Sequence, residues 1–194
     1  MKKITLFLLA GLSFCALAQK SQPLPEHPRP DLERTQWVNL NGYWDFTFDS
    51  TLTVPSRFAK KILVPFPWGS ALSEVKDEAD VAWYHKEIKI PATWTEKRIF
   101  LNIGASDWET SIYLDGVKIG NHQGGYTPFD AELVGVKPGS THHIAIRADD
   151  RRRMFTLYGK QGYGNARGIW QTVYLEARGA NFIDHYAVNP DIDA

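Results

Sequence analysis

Residues 159–176 read GKQGYGNARGIWQTVYLE, and the fold prediction starts from this stretch. Its first half spaces glycine among Lys, Gln, Tyr, Asn and Arg, a composition that cannot pack a core but can present polar and aromatic groups on a loop. From Ile169 the side chains alternate between two faces: the inward set is Ile169, Val173 and Leu175, and the outward set is Trp170, Thr172 and Tyr174. This period of two predicts a strand against a core, so a polar loop leads into a core strand.

Several other short segments alternate in the same way. They are the predicted strands Tyr43–Phe48, Trp83–Ile90, Arg98–Ile103 and His143–Ala148. Asp115-Gly116 is a strong signal for a two-residue hairpin turn, and the prolines in Ile62–Trp68 favour an edge segment. One conflict stays open, because Lys86 shares the inward parity of Tyr84 and Ile88.

The rest of the chain is predicted to connect these strands. No segment of ten or more residues has the period of a helix, and no internal repeat is present. The predicted connections are a turn at Trp37–Gly42, a loop at Asn121–Phe129 and a solvated charged loop at Asp149–Arg153, and Asn181–Val188 could open a further strand. Short strands at regular spacing predict an all-β fold, a jelly-roll β-sandwich.

Charge and composition exclude some classes of function. The 194 residues carry 22 basic and 22 acidic side chains, so no basic field favours nucleic acid or an anionic membrane surface. Aromatic residues make up 13% of the chain, which is more than a small core needs. The surplus can offer flat apolar faces to a ligand.

The first 18 residues match a secretory signal. Lys2-Lys3 is followed by the apolar run Ile4–Ala18, which ends on small residues, so cleavage is expected before Gln19. The run is shorter than the roughly 20 apolar residues of a spanning helix. Cys15, the one cysteine, follows Phe14 rather than the small residue that a lipoprotein signal requires, so it is assigned to the discarded peptide. The mature chain is therefore predicted to be exported, periplasmic or extracellular, without disulfides, and to begin with an extended lead-in over residues 19–36.

Two stretches carry candidate recognition residues. Asp107 and Glu109 flank Trp108 at the predicted end of a strand, where they either recognise a ligand or cap the strand with polar groups. His122 lies close to two glycines and Tyr126. It either hydrogen-bonds a sugar hydroxyl while Tyr126 stacks on the apolar face of the sugar, or it satisfies loop backbone groups.

Other chemistry is not indicated. His142-His143 is interpreted as structural, because its spacing to other ligand types matches no known metal set. We recognise no Ser/His/Asp arrangement, phosphate-binding glycine loop, thiol nucleophile or pair of carboxyls facing one bond. The acidic cluster at residues 74–80 is more typical of solvation or ion binding than of catalysis. Neither a metal nor a cofactor is therefore predicted.

Several stretches together resemble the N-terminal sugar-binding domain of glycoside hydrolase family 2, which includes β-galactosidases, β-glucuronidases and β-mannosidases. They are RPDLERTQWVNLNGYWDF at residues 29–46, VPFPW at 64–68, AWY at 82–84, residues 107–120 with the following HQGGYTPF, and RGIWQTVYL at 167–175. The resemblance covers nearly all of the mature chain. It implies a galactose-binding-like jelly roll over residues 37–180, with 181–194 as the start of a following domain.

The resemblance also implies where a sugar is met. In the family, an immunoglobulin-like sandwich and a barrel with the catalytic glutamates follow this domain, and loops equivalent to Asn121–Phe129 and Gly159–Arg167 help to close the barrel's pocket. In some β-galactosidases an aspartate ahead of the Gly-Ile motif contacts the sugar and a sodium ion. Gly162 stands at that position here, which argues against both contacts.

Three hypotheses follow. The leading one is the sugar-binding domain of an exported, β-galactosidase-like glycoside hydrolase without its catalytic barrel, and hence inactive alone. The others are a free-standing carbohydrate-binding module and a structural domain that supports a partner barrel. The residues expected to contact carbohydrate are Asp107, Trp108, Glu109, His122, Tyr126, Lys160, Gln161, Tyr163 and Arg167.

Overall fold

The computed structural model describes residues 22–151 and 167–192. These residues form twelve strands and one short 3₁₀ turn at Pro30–Leu32. The strands are β1 (Trp37–Asn39), β2 (Gly42–Phe48), β3 (Lys60–Val64), β4 (Val81–Lys89), β5 (Arg98–Ile103), β6 (Ser106–Asp107), β7 (Glu109–Leu114), β8 (Val117–Gln123), β9 (Phe129–Glu132), β10 (Thr141–Asp149), β11 (Gly168–Ile169) and β12 (Val173–Arg178). The predicted all-β fold is confirmed.

Two antiparallel sheets and a short ladder make up the architecture. The large sheet has the order β3-β2-β4-β10-β7-β8, the small sheet has the order β1-β12-β5-β9, and β6 pairs with β11 alone. The inner faces of the two sheets share one hydrophobic core. Among the fully buried side chains there are Trp44, Phe46, Trp68, Tyr84, Leu101, Ile103, Ile112, Ile144, Ile146 and Leu175. The molecule is therefore a β-sandwich.

The period of two located most strands correctly. In β5, the inward residues Ile99, Leu101 and Ile103 are all buried, as predicted. The predicted hairpin joins β7 to β8, with positive φ angles of 47° at Asp115 and 84° at Gly116. Two consecutive positive φ angles match the right-handed twist of the flanking strands. The edge position predicted for the proline-rich segment is also found, because β3 borders the large sheet.

Lys86 on β4 has a simple structural explanation. Its ammonium group lies 5.4 Å from the centroid of the Trp44 ring and donates a 2.8 Å hydrogen bond to the backbone oxygen of Tyr43. Burial lowers the pKa of the Lys86 side chain. The aliphatic stem thus covers apolar surface while the ammonium reaches a polar partner, which resolves the conflict in the sequence.

The continuous strand predicted from Ile169 is wrong. The chain forms β11 and then, after residues 170–172, β12. The neighbouring β5 and β6 are interrupted at the same level, where a Cβ on Gly104 would lie 2.7 Å from the Cβ of Gln171. The short β6–β11 ladder is separated from the small sheet at this close approach. The inward set was nevertheless right, since Ile169, Val173 and Leu175 are fully buried.

Three further predictions need correction. Residues 37–39 form strand β1, paired with β12, rather than a turn. Asn181–Val188 forms no strand. Asp149, predicted in a solvated loop, ends β10 and is 1% exposed, because Arg147 and Arg151 both bind its carboxylate.

Substitution of Gly168 tests how closely the β6–β11 ladder packs against Trp68 and Tyr84. Its φ is +72°, and a Cβ there would overlap the Trp68 ring and the Tyr84 hydroxyl. Gly135 has a similar φ of +85° but open space around it. Gly168→Ala should therefore lower the free energy of unfolding by about 3 kcal/mol or more, and Gly135→Ala by only about 1 kcal/mol. Urea unfolding followed by tryptophan fluorescence measures both, and equal losses would contradict this seating.

Candidate functional site

The short β6–β11 ladder brings the candidate residues together at one rim of the sandwich. Asp107 on β6 is paired with Gly168 on β11. The loop after β8 closes on this pair, since a Cβ on Gly125 would lie 2.7 Å from the Asp107 Oδ1 atom. Trp170 also binds this loop, because its indole Nε1 donates a 2.7 Å hydrogen bond to the Gly125 carbonyl oxygen. We call Asp107, Gly125, Tyr126, Arg167 and Trp170 the rim cluster.

Tyr126 is the exposed aromatic group of the rim cluster. Its side chain is 79% exposed, and its ring lies edge to face with Trp170 at a centroid distance of 5.6 Å. A tyrosine this open contributes little to the core, while its ring face is accessible. This arrangement suits stacking against the apolar face of a ligand.

Arg167 holds the polar side of the rim. Its guanidinium lies 3.5 Å from Asp150, 3.8 Å from Glu78 and 3.9 Å from Asp80. It also donates a 3.3 Å hydrogen bond to the Ala79 carbonyl oxygen, and its side chain is only 15% exposed. Arg167 is therefore already surrounded by acceptors, and its charge serves first to hold these segments together.

Two carboxyl groups at the rim have raised pKa values. Burial raises the pKa of Asp107. Burial and the nearby charge of Asp107 raise the pKa of Asp150 to about 6, although Arg167 acts in the opposite direction. Carboxyls with raised pKa values are common at functional sites, so Asp150 is a candidate that the sequence did not indicate.

Trp108 and Glu109 lie beside the rim but differ in environment. The Trp108 carbonyl accepts a 3.0 Å hydrogen bond from the Gly124 amide, and its indole Nε1 is buried without a partner among the described residues. Glu109 begins β7, where it is paired across the sheet with Asp149 and Gln123. Glu109 thus belongs to the outer face of the large sheet.

His122 lies in strand β8, not in the predicted loop. It is paired with Thr110, its ring stacks on Phe129 at 4.1 Å, and its Nε2 lies 3.1 Å from the Thr127 hydroxyl. Burial lowers the pKa of His122, which a hydrogen bond with the Gly124 backbone partly offsets. These contacts favour the structural alternative, in which His122 braces the loop that carries Tyr126.

Comparison with known proteins identifies the domain. Residues 34–175 match the family described as "Glycosyl hydrolases family 2, sugar binding domain". The chain belongs to this family. The resemblance found in the sequence is therefore confirmed, and the β6–β11 rim is a feature of a sugar-binding domain.

Three similar proteins are named as β-glucuronidases or as a β-galacturonidase. The chain is 24% identical to the β-glucuronidase of Rattus norvegicus over an alignment of 231 positions, which covers 96% of this chain and 35% of the relative. The solved β-glucuronidase of Ruminococcus gnavus has a TM-score of 0.64 at 21% identity, covering 75% of this chain and 29% of that one. A β-galacturonidase from Eisenbergiella tayi has a TM-score of 0.59 at 25% identity, covering 74% and 24%. The chain thus spans about a third of its relatives' length or less.

The remaining predicted contacts of the sugar-binding domain lie outside the described residues. These are Lys160, Gln161 and Tyr163, together with Gly162. In exchange, the structure adds Trp170, which the sequence placed on the outer face of a strand, and Asp150, which it placed in a solvated loop. For Trp170, the signal available in the sequence was a tryptophan directly after the polar loop. The charge run that contains Asp150 gave no such signal.

The sugar-binding domain also contains a Ser/His/Asp chain that the sequence reasoning missed. The Ser140 hydroxyl lies 2.8 Å from His142 Nε2, and His142 Nδ1 lies 2.6 Å from the Asp115 carboxylate. However, the Ser140 hydroxyl also donates a 2.5 Å hydrogen bond to the Lys137 carbonyl oxygen, so its proton is not reserved for His142. This Ser140–His142–Asp115 arrangement joins two turns, and its serine hydroxyl is engaged by a backbone carbonyl, in keeping with the structural interpretation of His142.

Residues 22–151 and 167–192 contain no group of three His, Cys, Asp or Glu side chains able to hold a metal ion. The same residues contain no helix that is long and apolar enough to cross a membrane.

Asp150 offers a test of the rim's electrostatics. Its folded pKa of about 6 exceeds the ordinary value of 3.8, so the folded state binds the proton more tightly. The stability that it contributes is complete below pH 3.8 and is lost as the pH rises through 6. Relative to Asp150→Asn, the wild-type protein should therefore lose stability between pH 4 and 7. Urea unfolding across this range checks the slope.

Asp31 supplies the control for this measurement. A hydrogen bond from Arg29 lowers the pKa of Asp31, so its contribution is present above pH 3.8 and is lost as the pH falls through the lower folded pKa. Between pH 4 and 7 the comparison with Asp31→Asn should thus give almost no slope. A profile for Asp150→Asn as flat as the one for Asp31→Asn would contradict the raised pKa of Asp150.

Proposed function

We propose that this domain forms one wall of the substrate pocket of an exported family 2 hydrolase acting on β-glucuronides. In this proposal, the groups that break the glycosidic bond belong to a catalytic barrel that the rim cluster meets. The family match over residues 34–175 carries the proposal, and the named relatives from rat and Ruminococcus gnavus, both β-glucuronidases, support the substrate class.

The rim geometry supports a recognition role. Tyr126 presents an open ring, while Asp107 and Trp170 fix the loop on either side of it. A sugar ring has one apolar C–H face and a periphery of hydroxyl groups, so it suits an aromatic surface bordered by polar groups. The rim cluster has this composition, and its open side is available to a second wall.

A turnover assay tests whether the catalytic carboxyls belong to the barrel or to this domain. Glycoside hydrolysis requires two carboxyls that face the scissile bond, and we assign that pair to the barrel. The purified chain should therefore release no nitrophenolate from p-nitrophenyl β-D-glucuronide above the rate of the matched variant Asp107→Asn/Asp150→Asn. A faster rate for the wild-type chain would instead assign the chemistry to these two rim carboxyls and would overturn the proposal.

Export is tested separately. Expressed with its first 18 residues in a Gram-negative host, the chain should reach the periplasm with Gln19 as its N-terminal residue, because the Ala16–Ala18 ending suits signal peptidase. N-terminal sequencing of the periplasmic fraction measures this. A chain that lacks residues 2–18 should stay in the cytoplasm. Membrane attachment that Cys15→Ser abolishes would show a lipoprotein instead.

A further inference from the structure

The outer face of the small sheet carries a groove of about 530 Å³. Its floor includes Asn102 and Tyr174 of the small sheet, and one wall consists of Tyr126, Phe129 and Trp170. The opposite wall comes from the segments before β1 and after β12. The volume is within the range of small-molecule sites, about 300–1,000 Å³. We call this cavity the outer groove.

The outer groove begins where the rim cluster ends. Trp170 lines the groove and also holds the Gly125 carbonyl oxygen, which places the groove's aromatic wall next to Asp107. Tyr126 likewise belongs both to the rim and to the groove. A chain-like ligand that touches the rim can therefore continue along the groove.

The polar groups of the floor are held in place by hydrogen bonds and ion pairs within the domain. Arg178, 6% exposed, donates hydrogen bonds of 2.7 Å to Asn102 Oδ1 and to Glu176, and lies 2.7 Å from Asp130. Its guanidinium stacks over the Phe100 ring at 4.0 Å. These contacts fix the floor before any ligand arrives, which lowers the entropic cost of binding.

The charges of the outer groove disfavour an anionic ligand. Its two cations, Arg29 and Arg178, are both paired: Arg29 lies 2.7 Å from Asp31, and Arg178 lies against Asp130. The lining also includes Asp184, 3.6 Å from Arg178. The groove therefore has more carboxylates than guanidinium groups, which repels sulfated or uronate-rich chains.

We propose that the outer groove binds a short neutral oligosaccharide, with Tyr126 and Trp170 stacked on sugar rings and the polar floor meeting the hydroxyls. A sugar combines the apolar and polar edges that this lining presents, and a neutral one avoids the excess of carboxylates. The groove shares Tyr126 and Trp170 with the rim cluster, whereas its floor and its opposite wall are formed by other residues of this chain. Its occupancy needs neither a barrel nor hydrolysis, so it can be present even if the proposed glucuronidase role is wrong.

Calorimetric titration of the full chain tests the proposal. The probes are cellotetraose, laminaritetraose and mannotetraose as neutral chains, and chondroitin tetrasaccharide as an anionic one. At least one neutral probe should bind with a Kd of about 1 mM or tighter, and the anionic probe should bind about tenfold more weakly or not at all. Tighter binding of the anionic probe would contradict the charge argument and overturn the proposal.

Matched variants locate the binding. Tyr126→Ala and Trp170→Ala should each weaken the neutral probe by up to about tenfold, the usual worth of an aromatic contact. Tyr126→Phe should bind like the wild type, since it keeps the ring. Tyr43→Ala removes another exposed tyrosine, on β2 of the large sheet, and should change nothing.

Two outcomes reject the site. One is the absence of binding by every neutral probe at about 10 mM, tenfold above the expected Kd, which would leave the groove as a surface for protein contact. The other is unchanged affinity in both Tyr126→Ala and Trp170→Ala, which would place the sugar elsewhere. Because Tyr126 is 79% exposed, its replacement leaves the core intact, and circular dichroism confirms folding for both variants.

Discussion

The rim of this domain depends on one steric constraint, the absence of a side chain at Gly168. The backbone there lies against Trp68 and Tyr84, and the Ile169 amide donates a 3.2 Å hydrogen bond to the buried Tyr84 hydroxyl. Burial raises the pKa of Tyr84, so the phenol stays neutral in the core. The aromatic groups of the core thus form the seat for the β6–β11 ladder. Arg167 precedes this seat directly, and Asp107 lies across the ladder from it.

The sequence could predict what depends on local periodicity. Alternation in β5, and the Asp115-Gly116 turn that directs β7 into β8, are properties of a few neighbouring residues, and both were correct. The break between β11 and β12 was not predictable in this way. It coincides with the close approach of Gly104 and Gln171, two residues far apart in sequence, and an uninterrupted alternation gives no sign of it.

The candidate site was predictable to a similar extent. The sequence selected Asp107 because it flanks Trp108 at the predicted end of a strand, and it selected Tyr126 because it lies with His122 in a glycine-containing loop. The structure places Asp107 and Tyr126 at the rim. The sequence pattern assigned His122 to the wrong element, since the glycines that follow His122 made the loop seem to start earlier. It missed Asp150, because a run of charged residues is ordinarily solvated, whereas burial by partners from distant segments requires the tertiary fold.

The outer groove depends on an unusual feature of the small sheet, the burial of charge on its outer face. Glu176 is 1% exposed and binds both Arg178 and Arg34. Burying ions costs free energy unless each has close partners. Here one partner, Arg178, lies on β12 itself, and the other, Arg34, lies before β1. Arg34, before β1, also donates a hydrogen bond to the Ile183 carbonyl oxygen after β12. The ion network therefore holds these two segments over the sheet, and the space that remains between them and Trp170 is the groove. Its shape is set by electrostatics at one wall and by aromatic packing at the other.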